Sequence, residues 1–199
     1  MSDVLVFGNS DIKRVKQYIT LNRRNNYGLQ QFNSVTCGIP GGKISYSQHI
    51  RELEQLMQTY TPRFLAINIG GNDLDQVDFK ASDIELIVLR YVHILNLFAQ
   101  LYSVKIAVCQ LMFRDNIRFV DVSDYNRYVI EANKRLKQEL QGNANVIYWN
   151  LKGLKENFTQ NLSDRVHLNW NLGYPKFYRN IRGVIFVPFQ IVIDIILGS

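Results

Sequence analysis

Short apolar runs alternate with helix-length amphipathic segments along nearly the whole chain, and this alternation most constrains what it can fold into. The runs are Asp3–Phe7, Gln31–Cys37, Phe64–Ile69, Val104–Leu111 and Val146–Trp149. Between and after them the spacing predicts helices over about 12–25, about 46–60, 82–102, 123–141 and 171–182. In the second, Tyr46, Ile50, Leu53, Met57 and Tyr60 share one face. The third is apolar nearly all round, as expected of a mostly buried helix. Strands that read as continuous apolar runs are those covered on both faces. Such a series predicts an α/β domain with a parallel sheet and helices on both sides.

In open sheets of this kind, sites form at the carboxyl edge of the strands. Each strand here ends in a residue set suited to that edge. The first ends in Gly8-Asn9-Ser10, the second in Gly38-Ile39-Pro40-Gly41-Gly42, the third in Gly70-Gly71-Asn72-Asp73, and the segment after the fifth carries Asp164-x-x-His167. A serine acts as a nucleophile only when a base takes its proton, a third group orients that base, and donors meet the oxyanion. Ser10 is the candidate nucleophile. His167 is the candidate base, and Asp164 the carboxylate that would fix its tautomer. Gly41 and Asn72 are candidate oxyanion donors, one through a backbone N–H that glycine leaves approachable and one through its amide. Each feature also has a plainer role. Ser10 suits a helix N-cap, Gly and Asn suit tight turns, and Asp164 or Ser163 suits the cap of a short turn. On the loop after the fourth strand, Phe113 is a candidate to line an acyl pocket and Arg114 to meet an anionic group of a substrate, on what is otherwise an ordinary surface loop.

Taken together, Gly8-Asn9-Ser10, Gly38-x-x-Gly41, Gly70-x-Asn72-Asp73 and Asp164-x-x-His167, in this order, resemble the four signature blocks of the SGNH (GDSL-like) hydrolase superfamily. The likeness spans about residues 3–182 and includes Val166-His167-Leu168 and Gly173-Tyr174. It implies a flavodoxin-like, three-layer α/β/α sandwich with a five-stranded parallel sheet. It also implies hydrolysis of small esters or O-acyl groups through an acyl-enzyme, with no metal and no cofactor. By that resemblance Ser10, Asp164 and His167 form the triad, and the Ser10 N–H, Gly41 and Asn72 form the oxyanion hole. Asn9 departs from the pattern, which usually has Asp there.

Other chemistries find less support. The three histidines, His49, His93 and His167, show no metal-ligand spacing. Gly42-Lys43 lacks the rest of a phosphate-binding loop, and no Gly-x-Ser-x-Gly elbow occurs mid-chain. The net charge of +6 is moderately basic. Lys13, Arg14, Lys16, Arg23 and Arg24 gather in or just after the first helix, which fits either a solvated face or an anionic partner such as nucleic acid. SGNH-like domains in some mobile-element proteins make a nucleic-acid-binding module the alternative to an enzyme.

The apparent start of a strand at the N-terminus, with no secretory pattern, predicts an intracellular protein. Cys37 and Cys109 fall on strands that are not neighbours in the common doubly wound order, so no disulfide is expected between them. The chain divides by expectation into a domain over residues 1–183 and an apolar tail over 184–199. Pro188, Gln190 and Asp194 interrupt that tail, which is too short for a membrane span of about 20 residues. An added strand, a segment folded over the domain and a partner-binding surface all remain open for it.

Overall fold

A computed structural model describes residues 3–30 and 32–197, the side chains of 187–197 excepted. Five parallel strands form one sheet in the order β2-β1-β3-β4-β5, with β1 Val4–Gly8, β2 Ser34–Gly38, β3 Phe64–Asn68, β4 Lys105–Cys109 and β5 Val146–Trp149. This is the expected three-layer sandwich. Along β1, Val4 and Val6 face one layer and Leu5 and Phe7 the other, because successive side chains leave a strand on opposite sides. The first layer is α1 (Ser10–Leu21) and α5 (Gly173–Leu197). The second is α2 (Ser47–Tyr60), α3 (Asp83–Leu101) and α4 (Val122–Glu139).

Most boundaries lie within a few residues of those the sequence predicts. β2 begins later than expected, at Ser34, and its predicted first residue Gln31 lies outside the described residues. α3 is not buried all round. Ile84, Val88, Tyr91, Leu95 and Phe98 enter the core, whereas Leu86, Leu89, Leu97 and Leu101 are exposed. A helix in an outer layer has only one face to give to the sheet. By length and composition α3 alone among the described helices could cross a membrane, yet its inward face packs in the core cluster with α4 and β4.

The last helix does not stop at Arg182. It runs through Gly183 to Leu197, and Val184 and Ile185 are still buried in the core cluster shared with α1. Gly183 lies within the helix beside the Trp149 ring, where a Cβ would meet Cζ2 at an ordinary contact distance of 3.5 Å. Cys37 and Cys109 are free thiols on β2 and β4, with β1 and β3 between them.

Candidate active site

The turn at the end of β1 is shaped by close packing. A Cβ on Gly8 would collide with the Asn68 carbonyl and with Ile12, so only glycine lets β1 end against β3 and turn at once into α1. Asn9 caps that helix. Its side chain accepts from the Asp11 N–H at 2.9 Å, and its own N–H donates to the Asn68 carbonyl at 3.0 Å. Capping therefore falls to Asn9, and Ser10, the first residue inside α1, keeps its hydroxyl free for another partner.

That partner is His167. Its Nε2 lies 3.2 Å from Ser10 Oγ, although the two residues are 157 positions apart in sequence. Its Nδ1 lies 2.7 Å from Asp164 Oδ2. The other oxygen, Oδ1, accepts the backbone N–H groups of His167 at 2.6 Å and Val166 at 3.1 Å. Inside this Asx-type turn Arg165 takes the left-handed conformation, at φ 65°. Burial by itself would raise the Asp164 pKa. The backbone and ring hydrogen bonds from His167 and the backbone bond from Val166 outweigh it and hold the carboxyl at about 2. Asp164 is thus an anion beside the imidazole at any ordinary pH.

The loop after β5 is pinned to the β1 turn from behind. Asp11, 3% exposed, accepts from the Leu168 backbone and from the Tyr174 hydroxyl at 3.4 Å. Burial raises the Asp11 carboxyl, and Arg114 and then His167 pull the other way. The residue after the candidate nucleophile thereby holds the residue after the candidate base.

The other two loops meet on the same edge. Asn72 donates through Nδ2 to the Gly42 carbonyl at 3.0 Å, and Gly42 itself packs against Asn9. Gly41 sits at φ 70° with open space where a Cβ would point, so its backbone is approachable. Asp73, fully buried, accepts the Ile44 N–H at 2.9 Å and the Ser45 N–H at 2.8 Å. It staples the loop that follows Gly41-Gly42 to the end of β3. Burial pushes its carboxyl up, against those hydrogen bonds.

Phe113 and Arg114 line one cavity of about 20 Å³ together with Asn9, Val166 and Leu162. Phe113 is half-buried, with its ring 5.4 Å from that of Phe158. Arg114, expected to face substrate, is 8% exposed and turned inward. Its Nη1 donates to Asn72 Oδ1 at 3.0 Å, and its guanidinium lies over the Tyr125 ring. Asn126 on α4 exchanges two hydrogen bonds with the Arg114 backbone, which fixes the turn inward. With Oδ1 held by Arg114, the amide nitrogen of Asn72 is committed to the Gly42 side. Arg114 and Asp73 are site residues whose connections the sequence does not reveal, since their partners lie 42 and 29 positions away.

His49 accepts the Lys43 N–H at 2.9 Å, a structural bond within the same loop, and His93 is exposed on α3. Among the described residues no three His, Cys, Asp or Glu side chains gather as a metal site would need.

A family model described as GDSL-like lipase/acylhydrolase matches residues 6–171. No curated protein matches the chain in sequence. Solved structures resemble it in fold. A GDSL-like lipase from Bacteroides thetaiotaomicron aligns at 16% identity and TM-score 0.70, over 92% of this chain and 86% of that one. A lipolytic G-D-S-L family member from Veillonella parvula aligns at 17% and 0.69, over 91% and 96%. An acetylxylan esterase from Geobacillus stearothermophilus, in a catalytic mutant form, aligns at 15% and 0.63, over 90% and 92%.

Proposed function

The chain belongs to the GDSL-like lipase/acylhydrolase family of the SGNH superfamily and is a hydrolase of esters, and from that premise we propose that it cleaves small carboxylic esters through a Ser10-His167-Asp164 triad. The observation that carries this reading is the unbroken chain Ser10 Oγ–His167 Nε2 at 3.2 Å and His167 Nδ1–Asp164 Oδ2 at 2.7 Å. Both distances suit proton transfer in an enzyme without bound substrate.

In this mechanism Ser10 Oγ attacks the ester carbonyl carbon as its proton passes to His167 Nε2. Asp164, ionised, stabilises the imidazolium and keeps Nδ1 protonated. Negative charge gathers on the carbonyl oxygen and meets the N–H groups of Ser10 and Gly41 and the amide of Asn72. The tetrahedral intermediate collapses, the alcohol leaves with the proton from His167, and Ser10 is left acylated. Water, deprotonated by His167, then attacks the acyl group, and a second collapse returns the proton to Ser10 and releases the carboxylic acid.

A small acyl group, acetyl above all, is the favoured substrate class. The acetylxylan esterase among the fold relatives is in keeping with this. A fluorophosphonate probe tests the reading: mass spectrometry should find the adduct on Ser10, and Ser10→Ala should abolish both labelling and p-nitrophenyl acetate hydrolysis. A Ser10→Ala protein that hydrolyses at the wild-type rate defeats it.

A further inference from the structure

We infer that the outer edge of the sheet, around β5, is a binding track for single-stranded nucleic acid. The inference does not depend on the triad. Among the described residues β5 has β4 on one side and no strand on the other. Consecutive residues of a strand face opposite layers, so Tyr148 and Trp149 lie on opposite sides of this edge. Each lines a groove. On the α4 side, a groove of about 420 Å³ runs beside Tyr148 and is rimmed by Lys134, Lys137, Lys152 and Lys155. On the α5 side, a groove of about 290 Å³ contains Trp149 with Lys152, Lys176 and Arg179. Lys152 belongs to both, so the two join past the carboxyl end of the strand. A third groove, of about 350 Å³, continues from Arg179 to Arg182 and Phe186.

Few carboxylates answer the charge in this track: Glu131 feels the charge of Lys134, and Glu156 lines the α4-side groove. Among the described residues the paired arginines are Arg14, Arg127, Arg135 and Arg165, all elsewhere. Among the described residues none of Lys134, Lys137, Lys152, Lys155, Arg179 or Arg182 forms an ion pair, and Glu156 is the one acidic residue described as lining the three grooves. The first helix, where the sequence gathers its basic residues, is less free: Arg14 faces Asp164 at 3.9 Å and Arg24 lies over the Tyr178 ring. Lys152 is also held in place, since Asn180 exchanges two hydrogen bonds with its backbone.

A row of unpaired cations interleaved with aromatic rings in a bent, concave path fits a flexible polyanion that also offers flat faces to stack. Single-stranded RNA or DNA meets both conditions: phosphates for the cations, bases for Tyr148, Trp149 and Phe186. A membrane surface is flat and would not follow the turn around the strand. A lone small anion would occupy one groove and leave the others empty.

Fluorescence anisotropy with a labelled 15-nucleotide oligouridine tests this on the full chain. Affinity should fall with salt, with a log–log slope of up to about −4 to −5, at ~0.7 per phosphate contact. The combined variant Lys134→Glu/Lys152→Glu/Arg179→Glu should bind at least about tenfold more weakly. Its thermal unfolding and ester hydrolysis should stay those of the wild type. Lys13→Glu/Lys16→Glu on α1 should bind within about twofold of wild type. An abasic oligomer of equal charge should bind clearly more weakly than oligouridine. The inference is overturned if the β5-edge variant binds like wild type, if the α1 variant loses as much, if the abasic oligomer binds equally, or if only phosphatidylserine vesicles are bound.

Discussion

Asp164 grips His167 at two points, taking its ring Nδ1–H on one carboxylate oxygen and its backbone N–H on the other, at 2.7 and 2.6 Å. A carboxylate that bonded only the ring would leave the ring's position to its own backbone. Here one side chain fixes backbone and ring together. This is the physical content of the three-residue spacing Asp164-x-x-His167: a short turn folds back on its own first carboxylate.

Asp164→Asn should therefore be nearly inactive yet folded. An amide can accept the backbone N–H groups, but in place of the acceptor at Nδ1 it can offer a donor and select the wrong tautomer. A fall in kcat of about 10⁴ is expected, with KM little changed. Steady-state kinetics on p-nitrophenyl acetate with a circular dichroism control measures it. A loss of less than tenfold would mean that the carboxylate does not serve the proton transfer.

The low Asp164 pKa also fixes the sign of a pH effect on stability. The folded value, about 2, lies below the ordinary 3.8. The unfolded chain therefore binds the proton more readily, and the carboxylate contributes stability that is complete above pH 3.8 and lost as pH falls toward 2. Urea unfolding of the wild type and Asp164→Asn should show a constant stability gap from pH 7 to 5, narrowing below pH 4. A gap that widens on acidification would contradict the assignment.

Arg114 should act through Asn72. Replacing Arg114 with Met removes the bond to Asn72 Oδ1 and frees the amide to rotate. Losing an oxyanion donor outright costs about 10²–10³ in kcat, so Arg114→Met should cost less, about 10-fold to 100-fold, mainly in kcat. The sharper measurement is the double variant. If Arg114 works only by holding Asn72, then Arg114→Met on top of Asn72→Ala should slow hydrolysis little further. Additive losses would assign Arg114 a separate role.

How far the sequence reveals this molecule follows from the range of each interaction. Strands buried on both faces are legible as apolar runs, and β1, β3 and β4 appear close to their places; β5 is short and lies at an edge with Ile147 exposed, yet its apolar run still marks it. β2 is blurred because it is the other edge strand, with Ser34 and Thr36 in place of a continuous run. The four turns are legible because backbone geometry demands Gly, Asn and Ser locally. The inward turn of Arg114 is not, because Asn126 imposes it from α4. The continuation of α5 past Gly183 is hidden as well, since glycine marks a helix end by propensity, while the burial of Val184 and Ile185 in the core beyond it is a tertiary contact. Asn9, a departure from the usual Asp, is resolved by its geometry: as an N-cap acceptor Asn equals Asp.

Asp73 offers the most direct test of how the site is assembled. Its two carboxylate oxygens accept the backbone N–H groups of Ile44 and Ser45. Ile44 is itself fully buried, so water cannot replace the lost partner there. Asp73→Ala would strand that donor at about 1–3 kcal/mol and expose the second to partial rescue by solvent. For a chain of this size that corresponds to a fall in Tm of about 2–12 °C. The same change releases the loop that carries Gly41, so kcat should fall more than the stability loss alone explains when measured well below Tm. Asp73→Asn separates the two effects. It keeps the volume and one acceptor but turns an N–H₂ toward the other backbone N–H, so it should recover part of the Tm and little of the rate. Equal and full recovery of both by Asn would show that the staple needs only one acceptor, and that the second hydrogen bond does not hold the loop in its working position.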